Sequence, residues 1–162
     1  METVGGVPHI GDVVCAIIEK EGRFLIARRP EGKSLASFWE FPGGKVHDGE
    51  TRCEALHREI DEELATTIGV IGQLTPRFHA YADFSLTLVP FRCVLSGPEP
   101  EPLEHEELRW ITVGEIVHYR FPDADLPVLD EYLLINAEGG MQNAEVKKQK
   151  SKSGRQKDKR QT

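Results

Sequence analysis

At 162 residues with 39% apolar content, the chain is long enough for one compact core and too short for several. No apolar run approaches the roughly 20 residues that cross a bilayer, and the first residues lack the basic and apolar stretches of a signal peptide. Three widely spaced cysteines favour reduced thiols over disulfides or a zinc site. These features argue against a membrane protein and predict a cytoplasmic setting.

Charge is distributed unevenly along the chain. The net charge is −7, but residues 1–140 hold 12 Lys and Arg against 25 Asp and Glu, whereas residues 141–162 hold 8 against 2. Because the terminal stretch has almost no apolar residue, it predicts a disordered basic tail after a domain at 1–140. Such a tail could hold nucleic acid or the acidic domain, or simply keep the protein in solution. The acidic domain favours a small phosphate ester over a nucleic acid duplex.

The first half of the chain predicts a hairpin, a loop and a helix. Apolar runs at 12–20 and 23–29 flank a Lys-Glu-Gly turn, which is typical of a β-hairpin. A short strand at 38–41 leads into a glycine-permissive turn. A helix is expected at 51–64, after the polar start Asp48-Gly49-Glu50-Thr51.

The second half predicts further strands and a closing helix. Pro90 suggests that the long alternating strand around it lies at a sheet edge or holds a bulge. The order of elements supports a mixed sheet with a helix on each side. Strands are expected at 68–74, 78–83, 84–95 and 108–111, a helical turn at 113–117, and a helix at 126–137.

Three glutamates of the predicted helix share one face. At about 100° per residue, Glu59, Glu62 and Glu63 lie together. Carboxylates this close repel one another unless a cation lies among them, and the hard cation Mg²⁺ prefers oxygen ligands. Arg58 lies one turn from Glu54 and one turn from Glu62, so it is placed to brace both. An apolar stripe adjoins the acidic face: Cys53, Leu56, Ile60 and Leu64.

A solvated acidic face is the usual explanation of a glutamate-rich helix, but the residues before this helix favour a metal platform. The order Gly44, five residues, Glu50, seven residues, Arg58-Glu59, two residues, Glu62-Glu63 resembles the Nudix box, GX5EX7REUXEEXGU. Ala65 departs from the pattern, since the family has glycine there. Without that glycine the helix is expected to run on toward Thr67, with Gly69 as the next possible stop.

The resemblance implies a Nudix fold, an α/β/α sandwich with a mixed central sheet, over about residues 10–137. Nudix enzymes cleave a nucleoside diphosphate linked to a further group, and the box residues hold divalent ions. Mg²⁺ is the expected ion and Mn²⁺ the alternative. The resemblance implies catalytic roles for Arg58, Glu59, Glu62 and Glu104. It also implies these metal ligands: the backbone carbonyl of Gly44, Glu59, Glu62, Glu63 and Glu104.

Residues outside the catalytic set have weaker patterns. Glu104 lies six residues before Trp110, where relatives place a further ligand or general base, and Glu106 or Glu107 could replace it. Glu50 is expected to steady the loop by accepting backbone hydrogen bonds, or alternatively to bind metal. The two histidines of these segments are expected at the surface: His57 and His105.

Three segments resemble the MutT-like branch, whose members hydrolyse nucleoside triphosphates to monophosphate and pyrophosphate. They are Arg28-Arg29-Pro30, the run 38–45 and the run 121–128. The resemblance makes four residues candidates for substrate binding: Arg29 for the phosphates, Phe41 beside the base, Lys45, and Asp125 for the base.

Asp125 stands where 8-oxoguanine-specific relatives have asparagine. An ionised carboxylate only accepts hydrogen bonds, so it favours a base edge rich in donors, and cytosine offers its N4 amine. A protonated Asp125 could still serve 8-oxo-dGTP, and the residue could alternatively cap the last helix. Two other functions stay open at this point: an RNA 5′-end pyrophosphohydrolase that uses the basic tail, and a non-catalytic Nudix binding module.

Overall fold

The computed structural model describes residues 3–4 and 6–137. Chain contacts divide the protein into two units, residues 1–128 and 129–162, and the described part of the second unit is helical. The predicted boundary at residue 140 and the basic tail at 141–162 lie outside the described residues. Within the described residues, no helix has the length and apolar content needed to span a bilayer.

Most elements are strands, with one α-helix in the middle and another at the end of the described chain, as the sequence predicts. Two 3₁₀ turns, Val113–His118 and Asp123–Asp125, precede the last helix. In chain order the other elements are β1 Thr3–Val4, β2 Val7–Lys20, β3 Arg23–Arg28, β4 Trp39–Glu40, β5 Gly43–Lys45, α1 Arg52–Leu64, β6 Ile68–Gln73, β7 Arg77–Ala80, β8 Ser85–Leu95, β9 Glu107–Ile111 and α2 126–137.

A mixed sheet runs in the order β4-β3-β2-β8-β6, with β1 and β5 paired to β2, β7 to β8 and β9 to β3. β2 and β8 are parallel, and the other pairs are antiparallel. β2 is buried continuously from Val14 to Ile18, which explains its unbroken apolar run, since a central strand is covered on both faces. The α/β class with a mixed sheet is confirmed.

One face of the sheet holds the apolar side of α1. The helix residues Leu56, Ile60 and Leu64 are fully buried against Val14 and Val89 of the two central strands. Burying each of these large side chains stabilises the fold by roughly 1.5–3 kcal/mol. α1 is thereby fixed beside the sheet, and its neighbouring acidic face is brought against β5, which pairs with the middle of β2.

Four expectations about local structure are wrong. The glycine turn at 43–45 is instead strand β5, paired with Val13–Cys15 of β2. Pro90 lies inside the sheet, because β8 is flanked by β2 on one side and by β6 and β7 on the other. The carbonyl of Pro90 accepts from Leu74 N at 2.9 Å, where the chain passes from β6 to β7. The nitrogen of Pro90, which has no hydrogen to donate, faces the same gap between the two strands, where the ladder of hydrogen bonds is interrupted.

The other two concern α1. The helix ends at Leu64 because Ala65 itself adopts the left-handed conformation, with φ 53°. Its N–H donates to Asp61 O at 3.0 Å, so alanine takes the position usually held by glycine. Cys53 is exposed and does not belong to the apolar stripe, where Ala55 is buried instead.

Candidate active site

Helix α1 begins at a capping box that fixes the segment before it. The Thr51 side chain accepts from Glu54 N at 3.0 Å, and the Glu54 carboxylate accepts from Thr51 N at 2.8 Å. Together these bonds satisfy two helix-end donors. Glu54 is therefore committed to the cap, and the expectation that Arg58 braces it is wrong.

Arg58 instead ties the helix to the loop after β5. Its guanidinium donates to both oxygens of Glu50, at 2.6 and 3.0 Å, and to Lys45 O at 3.0 Å. Its remaining contacts are to Glu59 at 3.0 Å and Glu62 at 3.3 Å. Glu50 also accepts from His47 N at 2.8 Å, which agrees with the loop-steadying role expected for it. Arg58 holds the pKa of Glu50 down at about 2, so that carboxylate stays charged.

The glycine pair lies directly against two of the helix carboxylates. A Cβ on Gly44 would overlap the Glu59 carboxylate, with Oε1 at 2.6 Å. Gly43 donates its N–H to Glu63 Oε1 at 3.3 Å. Glycine at position 44 therefore lets the Glu59 carboxylate approach the backbone, a use of glycine that sequence spacing alone does not explain.

The three box glutamates differ in environment. Glu63 is buried and the Glu59 side chain is 13% exposed, whereas the Glu62 side chain is 51% exposed. Burial first, and then the neighbouring carboxyls of Glu59, Glu40 and Glu104, together raise the pKa of Glu63 to about 9. The expectation that the whole acidic cluster lies out of solvent is thus correct for two of its members and wrong for Glu62.

These donors fit a hard divalent cation. In the described part of the chain, no three Asp, Glu, His or Cys side chains already form a group that could hold a metal ion. The donors nearby are carboxylate oxygens, the ligands that Mg²⁺ and Mn²⁺ take. A positive ion among them would favour the charged form of Glu63, whose pKa is raised by burial and by like charges.

Glu104 is brought to the same place by backbone hydrogen bonds. Glu101 N donates to Leu64 O at 2.9 Å, and Leu103 N donates to Glu63 O at 3.1 Å. These bonds satisfy the last carbonyls of α1 and fix the loop that follows β8 at the end of the helix. Glu104 then lines the cavity described below, whereas the substitute Glu107 pairs with Arg28 and Arg109.

A cavity of about 680 Å³ joins this platform to the remaining candidates. Its volume is in the range that takes small-molecule ligands. The predicted site residues that line it are Arg29, Phe41, Gly44, Lys45, Glu63, Glu104 and Asp125. The other three predicted residues are not part of the lining but lie close to it. Arg58 bonds to the lining residue Lys45, and Glu59 lies against Gly44. Glu62 contacts Arg58.

Arg29 and Phe41 are both held by neighbours. Arg29 donates to Ser34 O at 2.7 Å and to Glu40 Oε1 at 2.9 Å. The Phe41 ring packs between Phe24 and Phe121, with centroid distances of 6.0 and 5.9 Å. The cavity therefore has a fixed cation and an apolar wall close to one another.

Asp125 is a buried acid on the cavity wall. It is 8% exposed, and burial, reinforced by the charge of Glu40, raises its pKa to about 8. The helical backbone already begins at Asp123, after an extended Pro122, so the expectation that Asp125 caps the last helix is wrong. At neutral pH the group carries a proton and both donates and accepts.

Sequence reasoning missed several polar residues of this cavity, among them Glu40, His105 and Tyr81. His105 was expected at the surface, but its side chain is 6% exposed and its Nε2 lies 2.9 Å from Glu40 Oε2. His57 is exposed, as expected. Tyr81 lies on the cavity wall with Asp125, and its ring packs on Phe84 at 4.9 Å. The sequence did not indicate that these polar side chains face a cavity, because the local sequence of an irregular segment does not show which of its residues are buried.

Comparison with known proteins agrees with this geometry. The NUDIX domain pattern matches residues 13–131. The CTP pyrophosphohydrolase of Escherichia coli K12 is 34% identical over 139 residues, which cover 78% of this chain and 93% of that protein. The 8-oxo-dGTP diphosphatase of Haemophilus influenzae is 31% identical over 125 residues, which cover 75% and 90% of the two chains.

Solved structures show the same fold. The solution structure of the E. coli ORF135 protein superposes with a TM-score of 0.71 at 30% identity, covering 85% of this chain and 97% of that one. The crystal structure of a MutT protein from Methanosarcina mazei Go1 also gives 0.71, at 25% identity over 80% and 96% of the chains. The matched domain spans most of this chain, including every predicted site residue. The protein belongs to the Nudix family of hydrolases.

Proposed function

We propose that this protein is a Mg²⁺-dependent nucleoside triphosphate pyrophosphohydrolase, which releases the nucleoside monophosphate and pyrophosphate. One observation carries the proposal: one cavity is lined by the carboxylates of Glu63 and Glu104, by Arg29, which pairs with Glu40, and by the buried Asp125. This arrangement suits a ligand with a charged phosphate chain and a flat polar base. Relatives named for CTP and for 8-oxo-dGTP support the same class of substrate.

The acidic side chains would hold the cation, and we propose Glu59 and Glu63 as its principal ligands. We assign Glu62 and Glu104 as further ligands or as the general base, and keep the backbone carbonyl of Gly44 as a proposed donor. The bound cation supplies charge neutralisation on the phosphates and lowers the pKa of water. Mg²⁺ is the proposed ion, and Mn²⁺ the substitute.

The residues of this chain do the remaining work. Arg58 fixes Glu59 and the backbone of Lys45, so the platform stays in place as charge develops. Arg29 and Lys45 line the cavity and attract the phosphates, while Phe41 borders the base. Water is the nucleophile, and a carboxylate beside it takes the proton as the bond between the leaving pyrophosphate and the nucleotide breaks.

Asp125 is the proposed contact to the base. With its pKa raised to about 8, the carboxyl at neutral pH offers one donor and one acceptor. Cytosine presents an acceptor ring nitrogen next to its N4 amine, which matches that pair. Oxidised guanine also presents a neighbouring donor and acceptor, so cytidine triphosphates and 8-oxo-dGTP are the two substrates we propose. Removal of unwanted triphosphates from the cytoplasmic nucleotide pool is the corresponding role.

A substrate panel tests the proposal. CTP, dCTP, 5-methyl-dCTP, dGTP, 8-oxo-dGTP, ADP-ribose and diadenosine polyphosphates are assayed with Mg²⁺, and pyrophosphate is measured separately from phosphate. We expect pyrophosphate from a cytidine triphosphate or from 8-oxo-dGTP, and no turnover with chelator or with Glu62→Gln. Comparable rates on ADP-ribose would defeat the triphosphate assignment, and turnover that survives chelator would defeat the metal.

A further inference from the structure

One chain of contacts in the cavity connects three separate segments. Glu40, on β4, accepts from Arg29 at the end of β3 through Oε1 at 2.9 Å. The other oxygen, Oε2, lies 2.9 Å from Nε2 of His105, in the loop before β9. Both oxygens of Glu40 are therefore engaged, one by a substrate-facing cation and one by the loop that carries Glu104.

The burial of these side chains indicates that the contacts are fixed. His105 is 6% exposed, Glu40 22% and Arg29 25%, so none swings freely in water. The Nδ1 atom of His105 is buried and has no hydrogen-bond partner among residues 3–4 and 6–137, so the ring is held by its packing and by Glu40. Arg29 is further oriented by Ser34 O at 2.7 Å. A partly buried charged hydrogen bond is worth more than the same bond in water, so losing Glu40 should free the guanidinium.

We propose that His105 is a positioning residue that holds Glu40, and that Glu40 in turn holds the Arg29 guanidinium in the orientation that binds the phosphates of the substrate. This inference rests on the proposed function, because it takes Arg29 as a substrate contact. It assigns a role to two residues, Glu40 and His105, outside the box helix and its metal platform. The charge of Glu40 also acts on both Glu63 and Asp125, which agrees with a central place in the cavity.

A double-mutant cycle tests this coupling. His105→Ala, Arg29→Ala and the double variant are compared in kcat/KM on the preferred triphosphate. We expect His105→Ala to lower kcat/KM by about tenfold, mainly through KM, and to add little once Arg29 is removed. Multiplicative effects of the two changes would overturn the proposal, since they would show that His105 does not act through Arg29.

Conservative replacement separates positioning from packing. In His105→Gln the amide nitrogen reaches about where Nε2 lies, so it should restore most of KM, whereas His105→Asn should resemble His105→Ala. Equal effects of Gln and Asn would overturn the role. His118→Ala is the matched control, because this exposed histidine lies outside the cavity lining, and it should leave KM unchanged.

A measurement on the free protein keeps the inference distinct from the proposed function. The Nη1–H resonance of Arg29, from the nitrogen that donates to Glu40, should be sharp in wild type and in His105→Gln when observed by NMR without substrate. It should be broadened in His105→Ala and Glu40→Gln. If the wild type hydrolysed no triphosphate, the proposed function would be wrong. The resonance would still show whether His105 and Glu40 hold the Arg29 guanidinium. An Arg29 resonance unaffected by His105→Ala would overturn the positioning role in either case.

Discussion

A methyl group on Gly44 should disable the site and leave the fold intact. The Cβ of Gly44→Ala would overlap all three carboxylate atoms of Glu59, and even the farthest, Oε1, would lie at 2.6 Å. Ordinary contact begins at 3.4 Å, so the carboxylate must retreat by at least 0.8 Å. A misplacement on the order of 1 Å costs roughly 10²-fold in rate. We therefore expect kcat to fall about 100-fold and the Mg²⁺ concentration for half-maximal activity to rise.

The neighbouring glycine provides the contrast. A Cβ on Gly43 would overlap Val14 O and come within 2.7 Å of Cys15 Cα, which are backbone atoms of the central strand. Since these atoms cannot move without disturbing β2, Gly43→Ala should lose about 1–3 kcal/mol of unfolding free energy. For Gly44→Ala the displaced atoms belong to a side-chain end, so the melting temperature should stay within about 2 °C of wild type.

The assay pairs pyrophosphate release with thermal unfolding for both variants. Gly72→Ala is the matched control, because nothing lies within 4 Å of its added Cβ, and both kcat and melting temperature should be close to wild type. The reasoning is refuted if Gly44→Ala keeps wild-type kcat, or if it unfolds as easily as Gly43→Ala.

Four further outcomes follow from single features. Ala65→Gly should raise the unfolding free energy by about 0.5–1 kcal/mol in urea, because Ala65 has φ 53°; an unchanged or lower value would contradict the strain. Arg58→Lys should lower kcat at least tenfold, since lysine cannot bind both oxygens of Glu50 as the guanidinium does. A variant with wild-type kcat would show that the Arg58–Glu50 pair does not support the site. The pKa of Asp125 is raised from 3.8 to about 8, so the folded protein keeps a proton that the unfolded chain releases, and this contribution to stability is lost as the pH rises toward 8. In urea unfolding, the stability of Asp125→Asn relative to wild type should therefore increase by about 4 kcal/mol between pH 5 and pH 8. Parallel curves of unfolding free energy against pH for the two proteins would contradict this prediction. Removing residues 141–162 should leave turnover of free nucleotides unchanged, whereas the collapse of an RNA 5′-end hydrolysis that the wild type shows would favour the RNA alternative.

Local patterns predicted the platform well. The capping box at Thr51, the 3.6-residue period and the spacing of the glutamates are all properties of neighbouring residues. The same holds for the β2–β3 hairpin, where Glu21 and Gly22 both adopt positive φ in the turn. These features were predictable because their physical cause lies within about ten residues, although sequence analysis misplaced the end of α1 and one partner of Arg58.

Errors occurred where a distant segment decides the structure. Residues 43–45 look like a glycine turn, but β2, some 28 residues earlier, supplies a ladder that makes them a strand. Pro90 suggests an edge when read alone, yet the break between β6 and β7 gives it a place inside the sheet. In both cases tertiary pairing overrides local preference.

The histidine of the cavity shows why site chemistry is harder to read than site geometry. His105 stands among five acidic residues in a polar loop, and composition there favours a solvated surface. Two backbone bonds to the end of α1 pull the same loop inward, and Glu40 meets the ring from a strand 65 residues away. His105, which its sequence context places at the surface, is therefore buried by the same backbone hydrogen bonds that position Glu104. Helix α1, which carries Glu59 and Glu63, therefore also positions the loop that brings Glu104 and His105 to the cavity.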